Sequence, residues 1–225
     1  MKRKLCVFVM SAMLISCSML IGCGRKDNKT SDTKTEIATV PDAVEVATAM
    51  DDMSETDMSV GRFEGDTTYV NDAFDFMIEL PDNRWRFETT DNIADYLGVD
   101  KNEIDSILNG EISVYDKDIS YLAVACNDQT GSNVIVCYFC PDAAGVDSNM
   151  TAEEYIRTAG EQNSQVTLGS EELAGYTYST MTKDNGETCT QKIMCRDKDG
   201  IILMITITDA GDEKSQNMIK NIKKQ

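Results

Sequence analysis

The cysteines are the residues whose chemistry the sequence constrains most, because the chain has eight of them and no histidine. Without an imidazole, Ser-His-Asp and Cys-His nucleophile pairs are excluded, as are His-ligated zinc and copper sites. Cys137 and Cys140 have the Cys-x-x-Cys spacing of a redox pair, but they lie in the apolar run NVIVCYFCP, which predicts a β-strand. A strand directs the two side chains to opposite faces, so we interpret both as buried apolar residues.

An N-terminal segment ends at a cysteine whose thiol could carry a lipid. Residues 2–4 are cationic, residues 5–21 are largely apolar, and the stretch ends at Leu20-Ile21-Gly22-Cys23. It is shorter than the roughly 20 apolar residues of a membrane-spanning helix and is typical of a secretory signal. The four final residues resemble the bacterial lipobox, which implies cleavage between Gly22 and Cys23 and a diacylglyceryl group on the Cys23 thiol. An uncleaved signal anchor with an ordinary thiol at Cys23 is the alternative.

The net charge limits what the chain can bind and where it can lie. The formal charge is −18 at pH 7, and loss of residues 1–22, which contain three basic and no acidic residues, gives −21. Such a surface disfavours sequence-independent nucleic-acid binding and electrostatic adhesion to anionic lipid. We therefore expect no nucleic-acid partner and a protein held by lipid alone on the outer face of the cytoplasmic membrane. We interpret the acids as a solvated face, with a basic partner as the less favoured reading.

Composition divides the chain into three parts. Residues 1–22 are the predicted lipoprotein signal peptide, residues 23–61 a flexible acidic and polar linker, and residues 62–225 a single globular α+β domain. A flexible linker of this length spans roughly 30–35 Å on average. The remaining chain is long enough to bury one ordinary hydrophobic core.

Apolar periodicity predicts both helices and strands in the globular part. The predicted strands are residues 74–80, 84–89, 111–116, 120–126 and 133–139. The predicted helices are residues 91–98, 100–110, 151–162 and 212–224. Asp100 or Asn102 is a candidate cap for the second helix, and Thr151 with Glu154 has the spacing of a capping box.

The segment from Gly175 to Thr208 predicts a three-stranded meander with two-residue turns at Asn185-Gly186 and Asp199-Gly200. Two-residue turns fix the strand register, so the numbers of paired residues add up to 371 across the first turn and to 399 across the second. Both faces of the predicted meander are substantially apolar. We therefore expect other elements to cover both of its faces.

Five cysteines remain in the predicted domain, which is an odd number: Cys126, Cys137, Cys140, Cys189 and Cys195. A two-residue turn at positions 130–131 would pair Cys126 with Ile135. A loop two residues longer would instead place Cys126 opposite Cys137, where a disulfide could form. Both pairings are left open by the sequence.

The segment YVNDAFDFMIELPDNRWRF, residues 69–87, is similar to the opening of PsbP/Mog1-like domains. The similarity is carried by apolar spacing, and it extends through MTAEEYI and LAGYTYS over roughly residues 67–222. It departs from the family pattern at Arg84, an extra residue before Trp85. The resemblance implies an α/β/α sandwich around a mainly antiparallel sheet, and it also points to small lipoproteins of Gram-positive bacteria. We interpret Trp85 as a core residue with a hydrogen-bonded indole N–H.

Three functions are compatible with these features. Members of the resembled fold are mostly non-enzymatic, so the first is a lipid-anchored extracytoplasmic binding or assembly module with an unknown protein partner in the cell envelope. The alternatives are a solute-binding component of a transporter and a carboxylate-dependent envelope hydrolase. No phosphate cradle, calcium loop or paired-carboxylate motif is recognisable in the sequence, so we expect no cofactor, no metal and no catalytic residue.

Overall fold

A computed structural model of the chain describes residues 58–163, 165–184, 189–210 and 221–225. Its helices are α1 (Thr90–Leu97), α2 (Lys101–Leu108) and α3 (Ala152–Glu161), and a 3₁₀ turn spans Val114–Asp116. Its strands are β1 (Arg62–Glu64), β2 (Thr68–Asn71), β3 (Phe76–Glu79), β4 (Trp85–Phe87), β5 (Ile119–Asn127), β6 (Asn133–Phe139), β7 (Val166–Leu173), β8 (Tyr176–Asp184), β9 (Thr190–Lys198), β10 (Ile201–Asp209) and β11 (Ile222–Lys223).

The strands form two antiparallel sheets. The large sheet has seven strands in the order β4-β5-β6-β10-β9-β8-β7, and the small sheet has four in the order β1-β2-β3-β11. The predicted hairpin of β5 and β6 and the meander of β8, β9 and β10 are both present. The fold class is α+β with a mainly antiparallel sheet, which confirms the sequence prediction.

Local sequence signals determine where the three helices begin. The Asp100 side chain accepts a hydrogen bond from the Asn102 backbone N–H at the start of α2. Thr151 and Glu154 form the predicted capping box at the start of α3. The Asp197 Oδ1 atom, 2.8 Å from the Ala152 backbone nitrogen, accepts a further hydrogen bond there. Start signals of this kind are short-range, which is why the sequence alone could locate them.

The large sheet is covered on both faces, as predicted. On one face, Ile93 of α1, Ile104 of α2 and Ile156 of α3 pack against the sheet in two apolar clusters. On the other face the small sheet packs against the large one, and its buried side chains include Tyr69 and Phe76. Among the described residues, the helices thus lie on one side of the large sheet and a second sheet lies on the other.

The register of the meander is confirmed at its second turn and wrong at its first. Ile201 pairs with Lys198, which gives the predicted sum of 399. Thr180, however, pairs with Met194, which gives 374 instead of 371, because residues 185–189 separate the end of β8 from β9. A shift of three residues moves every side chain of β8 to the opposite face. Tyr176 and Tyr178 therefore lie on the side of the small sheet.

Three further predictions need correction or fall outside the described residues. Residues 111–116 form no strand, because their last three residues close the 3₁₀ turn, where the Ser113 hydroxyl accepts from the Tyr115 N–H. The predicted C-terminal helix is wrong at 222–223, where backbone pairing with β3 forms β11. Residues 211–220 lie outside the described part.

Trp85 is buried, as predicted, but its indole N–H has no hydrogen-bond partner among the described residues, because the ring packs among apolar side chains.

The cysteine pairing that would allow a disulfide is not the one that the structure adopts. Cys126 pairs with Asn133, and Cys137 pairs with Tyr121. Asn133 and Cys137 are four positions apart on β6, about 13 Å along the strand, so Cys126 and Cys137 are too distant to bridge. Both pairings considered from the sequence are wrong. The numbers of the paired residues add up to 259 at Cys126, whereas the two pairings required 261 and 263, so Cys126 lies opposite neither Ile135 nor Cys137.

The Cys-x-x-Cys pair consists of buried thiols, as the strand pattern predicted. Cys137 packs on the helix side of the large sheet, and Cys140 packs on the small-sheet side. Burial raises the pKa of the Cys137 thiol from 9.0 to about 12. At neutral pH this group is a thiol and not the thiolate that redox exchange requires.

We expect the free energy of unfolding to fall as the pH rises from about 9 towards about 12. In that window the unfolded chain releases the Cys137 proton while the folded chain retains it, so folding becomes less favourable with increasing pH. Burial also raises the pKa values of Tyr69, Tyr138 and Cys195, which adds to the same trend. Urea unfolding at about pH 8 and about pH 10.5 measures the effect. Cys137→Ala should reduce the pH dependence, and equal stability at both pH values would contradict the prediction.

Candidate functional site

The residues that the sequence singled out for lipid attachment, Gly22 and Cys23, lie outside the described residues. The sequence named no site within the globular domain. The structure supplies one at the turn between β2 and β3, residues 72–75, where side chains from distant parts of the chain converge. We use the name turn site for this turn together with Tyr176 and four cationic neighbours. The cationic neighbours are Arg62, Arg196, Lys198 and Lys224.

Each of the four turn residues is contacted by a different cationic side chain. Arg62 forms an ion pair with the Asp72 carboxylate, and the Lys224 Nζ atom lies 3.4 Å from Asp75 Oδ2. These two carboxylates therefore anchor cations from β1 and from the C-terminal end of the chain.

The two middle residues of the turn offer backbone carbonyls. The Lys198 Nζ atom donates to the Ala73 carbonyl oxygen at 2.7 Å, and the Arg196 guanidinium donates to the Phe74 carbonyl oxygen. Both donors come from β9 of the large sheet. The turn is thus fixed to the large sheet by charge-assisted hydrogen bonds, which are the stronger kind.

Aromatic rings hold the Arg196 guanidinium in place. Its Cζ atom lies 3.9 Å from the centroid of the Tyr176 ring and 5.1 Å from that of Phe74. The Tyr176 hydroxyl donates to Asp75 Oδ2 at 2.7 Å. This bond, followed by the charge of Lys224, lowers the pKa of Asp75 below its ordinary value. Stacking and hydrogen bonding together fix Tyr176 and Arg196 in one orientation before any partner arrives.

Two polar groups on the inner side of the site have no protein partner among the described residues. They are the Tyr178 hydroxyl and the Nη1 atom of Arg196, and both atoms are buried. Burial raises the pKa of Tyr178, while the Arg196 charge opposes that rise. Both groups can donate hydrogen bonds.

A buried hydrogen-bond network lies directly beneath the turn. The Asn71 side-chain amide donates to the Tyr69 hydroxyl at 3.1 Å and to the Tyr138 hydroxyl at 2.8 Å. Those hydroxyls in turn donate to backbone carbonyl oxygens, Tyr69 to Val60 at 2.6 Å and Tyr138 to Ser59 at 2.9 Å. We call these three side chains the tyrosine clamp, because they hold the last residues of the predicted linker against the core.

A separate concave feature among the described residues is an apolar cleft of about 250 Å³. Met58 and Val60 line one side, and Ile107, Leu108 and Ile112, at and beyond the end of α2, line the other. Its volume lies below the range of about 300–1,000 Å³ that is usual for small-molecule sites.

Metal and acid–base sites make specific demands on the carboxyl and thiol groups of the described residues. They contain no group of three or more His, Cys, Asp or Glu side chains placed to hold a metal ion. Hydrogen bonds lower the pKa values of three carboxyl groups. The largest cause is the hydrogen bond from Arg62 at Asp72, from Tyr176 at Asp75 and from Lys101 at Asp105. A carboxyl group that acts as a general acid needs the opposite shift.

Comparisons with known proteins add one structural similarity. No family model matches the chain, and no curated protein matches it. The chain is similar to the solution structure of cyanobacterial PsbP (CyanoP) from Synechocystis sp. PCC 6803, with 8% sequence identity and a TM-score of 0.38. The similarity covers 78% of this chain and 99% of that chain.

The turn site escaped the sequence analysis because of the register error at the first turn of the meander. The sum of 371 placed Tyr176 on the face opposite Arg196. In the observed register Ser179 pairs with Cys195, so the next position along places Tyr178 beside Arg196. The guanidinium carbon of Arg196 lies 5.6 Å from the centroid of the Tyr178 ring. One signal was visible: Arg196 directly follows the apolar run of Ile193, Met194 and Cys195, and strand alternation places it on the same face as Met194.

Proposed function

We propose that this protein is a lipid-anchored extracytoplasmic module without catalytic activity, which binds a protein of the cell envelope through the turn site. The anchor is Cys23, and the diacylglyceryl group on its thiol places the domain on the outer face of the cytoplasmic membrane. The binding partner presents carboxylate or carbonyl oxygens to the cations of the turn. No cofactor or metal takes part.

The observation that carries this proposal is the stack of Arg196 on Tyr176. Tyrosine and arginine are enriched among residues that dominate the energy of protein interfaces. Both side chains are partly exposed, and their orientation is fixed by Phe74, Asp75 and the turn carbonyls. A preorganised pair loses little conformational entropy when it binds, so the site is suited to recognition.

The two alternatives have less support. A solute-binding protein needs a larger enclosed site than the cleft of about 250 Å³ beside α2. A carboxylate-dependent hydrolase needs two facing carboxyl groups with separated pKa values, whereas the perturbed carboxyl groups of the described residues are all lowered.

Site-directed photo-crosslinking in the producing cell tests the proposal. A photoreactive amino acid at Lys198, which is exposed beside the stack, should yield one dominant protein adduct. The same amino acid at Glu153, exposed on α3 across the large sheet, should not yield that adduct.

A matched pair of arginine variants completes the test. Arg196→Gln should reduce the adduct formed from position 198 by roughly tenfold or more, because truncation at an interface hot spot costs about 2 kcal/mol or more. Arg157→Gln changes an exposed arginine on α3 and should leave the adduct unchanged. Equal adducts from positions 198 and 153, or an undiminished adduct in Arg196→Gln, would rule out the turn site as the contact surface.

A further inference from the structure

The strand β7 forms an open edge of the large sheet. It pairs on one side with β8 over its whole length, from Val166 opposite Lys183 to Leu173 opposite Tyr176, without a register shift. On its other side no strand of the described residues is paired with it. Residues 167–170 are exposed to solvent. The outward backbone N–H and C=O groups of β7 are therefore accessible to another strand.

This edge lacks the usual protections against strand addition. The other edge strands are short, with three residues in β4, three in β1 and two in β11, whereas β7 has eight. Natural edges are commonly guarded by lysine, proline, a β-bulge or a very short strand. The sequence of β7, VTLGSEEL, contains no lysine and no proline, and its pairing contains no bulge.

An apolar side chain lies next to the open backbone. Leu168 projects on the helix side of the sheet and is 44% exposed, which is unusual for a large hydrophobic residue in this protein. It rests against Gly160 near the end of α3, where a Cβ atom would lie 2.8 Å from Leu168 Cδ2. The glycine thus allows Leu168 to lie flat against the helix while half of its surface remains available for contact.

The charge of the edge determines which kind of strand fits. Glu171 and Glu172 are the charged residues of β7, and Glu161 and Asp184 are at the ends of the neighbouring elements α3 and β8. Lys192 reaches β7 in an ion pair, with its Nζ atom 2.7 Å from Glu171, and no second such cation is found among the described residues. A second copy of this chain would bring the same carboxylates to the edge, and like charges across a strand pair are destabilising.

We propose that β7 is a docking edge for an extended basic segment of a partner protein, which adds to the large sheet as an eighth strand. Backbone hydrogen bonds to β7 supply affinity, an apolar side chain of the segment contacts Leu168 on one face, and lysine or arginine side chains contact Glu171 on the other face. This inference rests on the proposed role as a binding module and adds a second surface to it, independent of the turn site.

Amide hydrogen exchange on the full-length chain in a non-ionic detergent tests the inference. The probe is a synthetic peptide of about ten residues with alternating valine and lysine, and its counterpart has glutamate in place of lysine. With the lysine peptide, alternate amides within residues 166–173 should exchange roughly tenfold more slowly. The glutamate peptide should leave the exchange of β7 unchanged.

Two exposed hydrophobic residues provide a matched pair of variants. Leu168→Lys should abolish the protection, because it repels the probe and removes the apolar contact. Phe63→Lys changes a residue on β1 that is 45% exposed, and it should retain the protection. Thr167→Lys, on the other face of β7, serves as a second edge variant should Leu168→Lys prove unstable in thermal unfolding.

Three results would overturn the inference. The first is that the lysine peptide leaves the amide exchange of β7 unchanged, and the second is that both peptides protect β7 equally. The third is that β7 becomes protected as the protein concentration rises without any peptide, which would identify a second copy as the occupant. Crosslinking from position 198 reports on the turn site and does not require β7. Failure of one surface can thus be distinguished from failure of the other.

Discussion

Replacement of Cys23 by alanine is expected to move essentially all of the protein out of the processed, membrane-bound form. The proposed lipid is attached to that sulfur, and each buried CH₂ group of an acyl chain contributes about 0.8 kcal/mol to membrane binding. None of the helices in the described part of the chain is long and apolar enough to cross a membrane. The acidic chain, at −18 overall, is also repelled by anionic lipid.

The measurement is membrane fractionation combined with mass spectrometry of the protein's N-terminus. We expect a diacylglyceryl adduct on Cys23 in the native protein and either a released or an unprocessed chain in Cys23→Ala. Cys17→Ala is the matched control, because it removes a thiol from the same apolar stretch and leaves Leu20-Ile21-Gly22-Cys23 intact. Unchanged processing and membrane retention in Cys23→Ala would refute the anchor.

Asn71→Ala is expected to lower the free energy of unfolding by about 3 kcal/mol, a large effect for one substitution. Asn71 is fully buried and is the centre of the tyrosine clamp. Its Oδ1 atom accepts from the Phe74 backbone N–H at 2.9 Å, and its amide donates to both tyrosine hydroxyls. Alanine leaves the buried Phe74 N–H without its partner, which costs about 1–3 kcal/mol, and removes one hydrogen bond from each tyrosine hydroxyl.

Urea unfolding followed by tyrosine and tryptophan fluorescence measures this effect. Tyr69→Phe removes two hydrogen bonds of the clamp, those to Asn71 and to the Val60 carbonyl, and leaves the pair of Asn71 and Tyr138. It should therefore cost about 1–2 kcal/mol, less than Asn71→Ala. Asn109→Ala changes an exposed asparagine at the end of α2 and should stay within about 0.5 kcal/mol of the parent. Equal destabilisation by Asn71→Ala and Asn109→Ala would show that the clamp does not stabilise the fold.

Elements determined by short-range interactions could be predicted from the sequence. The capping box of Thr151 and Glu154 and the cap at Asp100 involve residues two or three positions apart, and all three helices follow from such signals together with apolar periodicity. The turn at Asp199-Gly200 could also be predicted, because both residues have the positive φ angles, 51° and 79°, that this dipeptide accepts. At these places local preference and fold agree.

Register across the first meander turn could not be predicted, because both faces of the meander are apolar. When one face is polar, a wrong register exposes hydrophobic residues and can be rejected. Here Tyr178 and Met181 lie on opposite faces, and both are buried. The sequence therefore contained no penalty against the shorter turn.

The turn site could not be predicted because of this register error and for a second reason. Its contacts join residues far apart in the chain, such as Tyr176 with Asp75 and Arg196 with Phe74, and separations of about 100 residues leave no periodic trace. Once the register of β8 is known, the position of Arg196 beside Tyr178 follows. The error in one loop thus concealed the feature that we regard as functional.

The tyrosine clamp has a mechanical consequence for a domain tethered through its N-terminus. A pull on the chain ahead of Ser59 passes through the Ser59 and Val60 carbonyls to Tyr138 on β6 and Tyr69 on β2. β6 lies in the interior of the large sheet, bonded to β5 and β10 on either side. Tension is therefore transmitted to an interior strand and shared between two sheets, and it does not peel a strand from an edge. For this reason we expect the turn site, which lies directly above the clamp, to keep its shape under load.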